Sequence, residues 1–208
     1  MRLPRSTHTK MALRTVRTWL WVAVVALAAI AGTGAVLLRQ QPPAASDGFG
    51  VALFDLIDQN GNPVDETVFV GHPSALFFGF THCPEVCPTT MAEMSAWFDA
   101  LGEEGADLRA YFVSIDPARD TPEVLGDYVS WVSDRITGIT GDADQIDRLA
   151  DAWGVFYEKV PLDGDDYTMD HTASVFLLDA KGQFQGTIAY REDMATALGK
   201  LRNLLAKS

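Results

Sequence analysis

Apolar residues along this chain come first as one long block and then as a series of short ones. WLWVAVVALAAIAGTGAVLL, residues 19–38, carries no charge. At about 1.5 Å per residue such a block crosses a hydrocarbon core of roughly 30 Å. Arg2, Arg5, Lys10, Arg14 and Arg17 precede it without an acid among them. That flank keeps residues 1–18 in the cytoplasm and sends the rest across the membrane. The block predicts one N-terminal transmembrane anchor. A cleaved signal peptide ending near Ala29-Ile30-Ala31 is the competing reading, against which the apolar run continues to Leu38. Both place residues 39–208 outside the cytoplasm. RQQPPAASDG, residues 39–48, is a Pro/Ala/polar linker, and residues 49–208 are long enough for one buried core.

Beyond the linker the short blocks change period. Phe49 to Ile57 alternates in part and ends in DQNGN, which predicts a hairpin arm. SALFFGF (74–80) and AYFVSI (110–115) predict buried strands, and ITGIT (136–140) a short one. Met91, Met94, Trp97, Phe98 and Leu101 have helical spacing, with Gly102 as the stop. Thr121-Pro122-Glu123 starts a second helix with Thr as N-cap and Pro at its first position. Asp142 and Gln145 predict a capping box before Ile146, Leu149, Ala150 and Trp153, and Gly154 ends that helix. SVFLLD and FQGTIAY flank Ala180-Lys181-Gly182 as a hairpin. Met194, Ala197, Leu198, Leu201 and Leu205 line a closing helix. The order β-β-α-β-α-β-α-β-β-α predicts an α/β domain with a central mixed sheet flanked by helices. A strand, a cysteine pair, a helix and a late antiparallel hairpin resemble the thioredoxin fold.

Charge narrows the function. All 28 acidic residues follow residue 38, with 11 of the 16 Lys and Arg, so residues 39–208 carry a net −17. Such a surface excludes nucleic acid, which needs a basic footprint, and gains nothing from anionic lipid. It favours a basic partner or cations.

Chemistry concentrates in GFTHCPEVCPTTM (79–91), which holds both cysteines of the chain, Cys83 and Cys87. Outside the cytoplasm a disulfide is allowed, but a loop this small contributes little entropic stabilisation. With Cys87 in the first helical turn and Cys83 just before it, the thiols converge where the helix dipole favours thiolate. They can share a metal ion or close a disulfide, and the spacing leaves both open. Two thiolates and one imidazole would suit Cu(I), which needs no fourth ligand. Zinc more often takes four ligands, and only three are apparent. A peroxidase would need a T-x-x-C spacing that Thr81-His82-Cys83 lacks. Of four histidines, His8 is cytoplasmic and His72, in Val-Gly-His-Pro, reads as a turn residue. His82 adjoins Cys83 but diverges from it on an extended chain. His171, in YTMDHTASVFLLD, precedes a strand that a thioredoxin-like sheet would set beside the cysteine loop.

GFTHCPEVCPTTM, SIDPARDTPEVL and MDHTASVFLLDAKGQF, in that order, resemble the three signature blocks of the SCO/SenC copper-chaperone family. The resemblance runs from about Phe49 to the C-terminus. It implies a thioredoxin-like domain binding one copper ion, as Cu(I) or Cu(II), through Cys83, Cys87 and His171. The implied task is metallation of the dinuclear CuA site during cytochrome c oxidase assembly, by a carrier rather than an enzyme. The implied partners are the copper-bearing oxidase subunit and another copper chaperone or a thiol reductase. The implied location is a single pass of the inner (cytoplasmic) membrane, with the domain on the periplasmic or equivalent exported side. A membrane-tethered thiol–disulfide oxidoreductase is the alternative, with Cys83 attacking and Cys87 resolving. One departure is Glu85 where the family usually has Asp. Asp116, Arg119 and Asp120 fall on the loop after a strand, where ligands often sit, and turn chemistry accounts for them equally well.

Overall fold

The structure is a computed structural model that describes Trp19, Gly50 and residues 52–207. The predicted anchor, Trp19 apart, lies outside the described residues. Among those residues no helix is long and apolar enough to cross a membrane. Those from Gly50 onward belong to one compact unit, Asp47–Ser208.

Among its described residues the unit has nine strands and four α-helices. In chain order they are β1 (Asp55–Asp58), β2 (Pro63–Asp65), β3 (Ser74–Gly79), α1 (Val86–Leu101), β4 (Arg109–Ser114), α2 (Pro122–Val132), β5 (Ile136–Thr140), α3 (Ala143–Ala152), β6 (Tyr157–Pro161), β7 (Tyr167–His171), β8 (Val175–Leu178), β9 (Phe184–Ile188) and α4 (Met194–Leu205). Seven strands form a mixed sheet in the order β2-β1-β5-β4-β3-β8-β9. β3, β4 and β5 run parallel, while β1 and β8 pair antiparallel with their neighbours. β6 and β7 form a separate antiparallel ribbon. This is the expected thioredoxin-like α/β architecture with one hairpin added.

Both faces of the sheet are buried, which is why β3 reads as a continuous apolar run. On one face Phe78 meets Phe176 edge-on, and Trp153 packs on Phe176 and Phe69. On the other, Phe77 and Phe112 lie together and Tyr128 of α2 covers Phe112. Phe77, Phe78, Phe80 and Phe112 are each almost fully buried, worth about 1.5–3 kcal/mol apiece against exposure. Gly138 on β5 lets α2 approach: a Cβ there would fall 2.7 Å from Leu125 Cγ.

The predicted caps hold in part. Thr121 accepts from the Val124 amide, and Asp142 from the Gln145 amide. The capping box is only half formed, because Gln145 Oε1 accepts from the Asp55 amide instead of turning back on Asp142. α1 starts at Val86, five residues before the apolar periodicity begins, since its first turn carries the site rather than the core. On α4 the buried face is Ala197, Leu201 and Leu204, and Met194 is exposed.

The candidate metal centre

The C-terminal end of β3 delivers the cysteine loop. Gly79 ends the strand, and Phe80 to Glu85 lead into α1. Glu85 stands at the N-cap of α1 but makes no side-chain cap bond. Cys83 takes that role: its Sγ accepts from the Cys87 amide at 3.3 Å. A sulfur in place of a capping oxygen puts the N-terminal end of the helix dipole directly on the thiol. Pro88 fits inside the first turn because an amide there has no intrahelical partner to lose.

The two thiols are free and unlike. Cys83 is partly exposed and its thiol is drawn down to about 4, chiefly by the hydrogen bond from the Cys87 side chain. The Cys87 and Glu85 amides add to the effect, against the opposing cost of burial. Cys87 is fully buried and its thiol is pushed up, by burial first and then by its bond to Cys83 and that neighbour's charge. Space for it depends on Gly79, where a Cβ would fall 2.7 Å from Cys87 Sγ and 2.8 Å from Phe112 Cε2. A glycine ending an otherwise apolar strand is the sequence sign of such a close approach.

His171 closes β7 and reaches the thiols from the other side. Its Nε2 lies 3.5 Å from Cys87 Sγ, and its Nδ1 lies 2.9 Å from the Thr172 carbonyl. A carbonyl can only accept, so the neutral ring carries its proton on Nδ1 and turns the Nε2 lone pair to the thiols. Phe77 and Phe80 hold the ring at centroid distances of 6.0 and 5.9 Å. The ligating atoms of Cys83, Cys87 and His171 all lie within 4.8 Å of one another. Metal–sulfur and metal–nitrogen bonds of roughly 2.0–2.3 Å let one ion reach all three after small adjustment. Two sulfurs and one imidazole are a donor set for a soft cation, and Cu(I) fits it.

The other candidates stand apart from this triad. His82 is exposed; its Nδ1 meets Thr81 Oγ1 at 3.0 Å, 3.9 Å from Asp120. His72 is an exposed turn residue whose carbonyl accepts from Ser74. His8 lies outside the described residues. Glu85 reaches Arg191 at 3.1 Å on the surface. Asp116 and Asp120 are buried and bonded within the protein.

Residues 44–206 match the family model described as SCO1/SenC. This chain belongs to the SCO1/SenC family. A relative of the present SCO1/SenC protein is the SCO2-like protein of Rickettsia felis, 39% identical over 133 residues. That match covers 63% of this chain and 65% of the Rickettsia protein. Bradyrhizobium japonicum ScoI, solved with copper bound, is 37% identical with a TM-score of 0.69, covering 74% of this chain and 98% of that one. Yeast Sco1 with copper bound is 31% identical with a TM-score of 0.71, over 77% and 90% of the two chains.

Proposed function

We propose that this SCO1/SenC protein is a membrane-anchored copper carrier. Cys83, Cys87 and His171 hold one copper ion as cargo for the CuA site of cytochrome c oxidase during its assembly. The observation that carries this reading is the convergence of two thiols and an imidazole lone pair within 4.8 Å. Two similar proteins solved with copper bound support it. Residues 19–38 serve as the anchor, 1–18 remain cytoplasmic, and the linker 39–48 frees the domain from 49 to 208 on the exported side. The copper-bearing subunit of the oxidase is the recipient, and another copper chaperone or a thiol reductase keeps the site supplied or reduced. Loading displaces the proton of the Cys87 thiol, which burial holds protonated, so affinity weakens as pH is lowered.

Full-length reduced protein in detergent micelles, titrated with Cu(I) against a chromophoric chelator, tests the reading. One tight equivalent is expected, lost on oxidation of the cysteines and sharply weakened by His171→Ala. Equal, weak binding in all three samples would sink it.

The contrast between the thiols favours a second activity at the same place. Cys83, partly exposed and drawn down to about 4, has the character of an attacking thiolate. It attacks a target disulfide and expels one target thiolate; Cys87 gives up its proton to that leaving thiolate and attacks the Cys83 sulfur, releasing the second target thiolate and leaving the pair oxidised. His171→Ala separates the two activities, because exchange survives the change and copper retention does not.

A further inference from the structure

Two arms leave the loop that joins β4 to α2, one toward each half of the donor set. The loop is tight: the Asp116 carbonyl accepts from the Arg119 and Asp120 amides, both at 3.0 Å. One arm is Asp120, whose fully buried carboxylate accepts from the Thr81 amide at 3.0 Å, Thr81 Oγ1 at 2.6 Å and Ser114 Oγ at 2.6 Å. Thr81 lies two residues before Cys83, so this arm fixes the root of the cysteine loop. The other arm is Arg119. Its Nε donates to Asp116 Oδ2 at 2.5 Å, and its Nη1 to the Tyr167 carbonyl at 2.9 Å. Its guanidinium lies 3.6 Å over the Tyr167 ring, and the Tyr167 hydroxyl returns to Asp116 Oδ1 at 2.7 Å.

Tyr167 begins β7 and His171 ends it. The β6–β7 ribbon shares no ladder hydrogen bond with the main sheet, so side-chain contacts must hold it in place. Arg119 also lies 5.9 Å over Phe80, and Phe80 meets the His171 ring edge-on. One guanidinium thus grips the start of the histidine strand and backs the aromatic ring against which the imidazole rests. Its planar fork, stack and fixed charge cannot be reproduced by lysine.

The geometry points to Arg119, braced by Asp116 and Tyr167, as a positioning residue that holds His171 in reach of the Cys83–Cys87 pair. The inference rests on the copper reading above for its functional consequence, though not for the clasp itself. Residues that orient a ligand from behind typically carry 10–100-fold in metal affinity, and that range is expected for Arg119→Ala. The effect should operate through the histidine. Arg119→Ala therefore weakens Cu(I) binding in the native chain but adds little in a His171→Ala background. Arg119→Lys gives most of the loss, and Tyr167→Phe, which removes one hydroxyl, a smaller part.

The test is this double-mutant cycle on the full-length chain in micelles, with amide hydrogen exchange on the metal-free protein beside it. Support is a non-additive cycle with faster exchange confined to residues 157–171 in the Arg119 variants. An unchanged copper affinity, or a loss of equal size with and without His171, overturns the proposal. Failure of the native chain to bind Cu(I) refutes the copper reading instead. Exchange then decides the clasp alone, which is refuted if the ribbon amides are as protected in Arg119→Lys as in the native chain.

Discussion

Gly79→Ala is a one-methyl test of how tightly the buried thiol is packed. The added Cβ would sit 2.7 Å from Cys87 Sγ and 2.8 Å from Phe112 Cε2. Non-bonded heavy atoms rest at roughly 3.5–4.0 Å, so each neighbour must retreat by about 1 Å. Both neighbours are fully buried; the thiol, a single atom that turns about one bond, gives way more readily than the ring. Overpacking of this kind costs about 1–3 kcal/mol. Removing a strand glycine returns about 0.5–1 kcal/mol of chain entropy, and the backbone at 79 is one that alanine can adopt. The net destabilisation is therefore up to about 2.5 kcal/mol and centred near ~1 kcal/mol, read as a lower urea midpoint at constant slope. The same displacement shifts a ligand by far more than the ~0.2 Å a metal site tolerates, so Cu(I) affinity falls at least about tenfold. In a Cys87→Ala background the stability cost shrinks, because the obstructing sulfur is gone. An unchanged midpoint together with unchanged copper affinity would refute the packing argument.

Four further outcomes follow from the same structure. In the reduced, metal-free protein, iodoacetamide labels Cys83 at a rate that stays flat from pH 8 to about 5 and halves near 4, with Cys87 unlabelled; an inflection near the ~8.5 of a free thiol contradicts the assigned thiolate. Because the Cys83 thiol is lowered on folding, its share of stability is complete above the unfolded value of 9.0 and is lost as pH falls through about 4. Asp120→Asn puts a donor where the native oxygens take three hydrogen bonds and costs about 1–3 kcal/mol in urea unfolding; a native midpoint would remove Asp120 from the account. Glu85→Gln weakens only exposed contacts, with Arg191 and the Tyr190 hydroxyl, so stability changes by no more than about 0.5 kcal/mol and copper affinity stays native; a tenfold loss would show that the Glu85 carboxylate charge serves the site.

What the sequence made legible follows the strength of the local signal. β3 and β4 were legible because strands buried on both faces are unbroken apolar runs. Thr121 and Asp142 were legible because a capping side chain acts within three residues of itself. The cysteines stood out by type and spacing. The β6–β7 ribbon was not legible. Its strands have no buried face, so no alternation marks them, and the one local hint is the Asp163-Gly164 turn, with Gly164 at φ +81°.

That difference bears on the site itself. The thiols belong to a helix start fixed by four consecutive turns of backbone, and their mutual position is written into five residues of sequence. The imidazole comes from a ribbon 84 residues away, held by side chains rather than by the main sheet. Its approach to the thiols is set where Tyr167 meets Arg119 and Asp116, contacts between residues 48 and 51 positions apart that no period or motif expresses. The ring itself then settles between Phe77 and Phe80 with Nδ1 satisfied by its own neighbour's carbonyl, which leaves Nε2 one direction to face. So the donor types could be read from the chain, whereas the convergence of the third donor on the first two is a tertiary property, and the SIDPARD loop is where the fold supplies it.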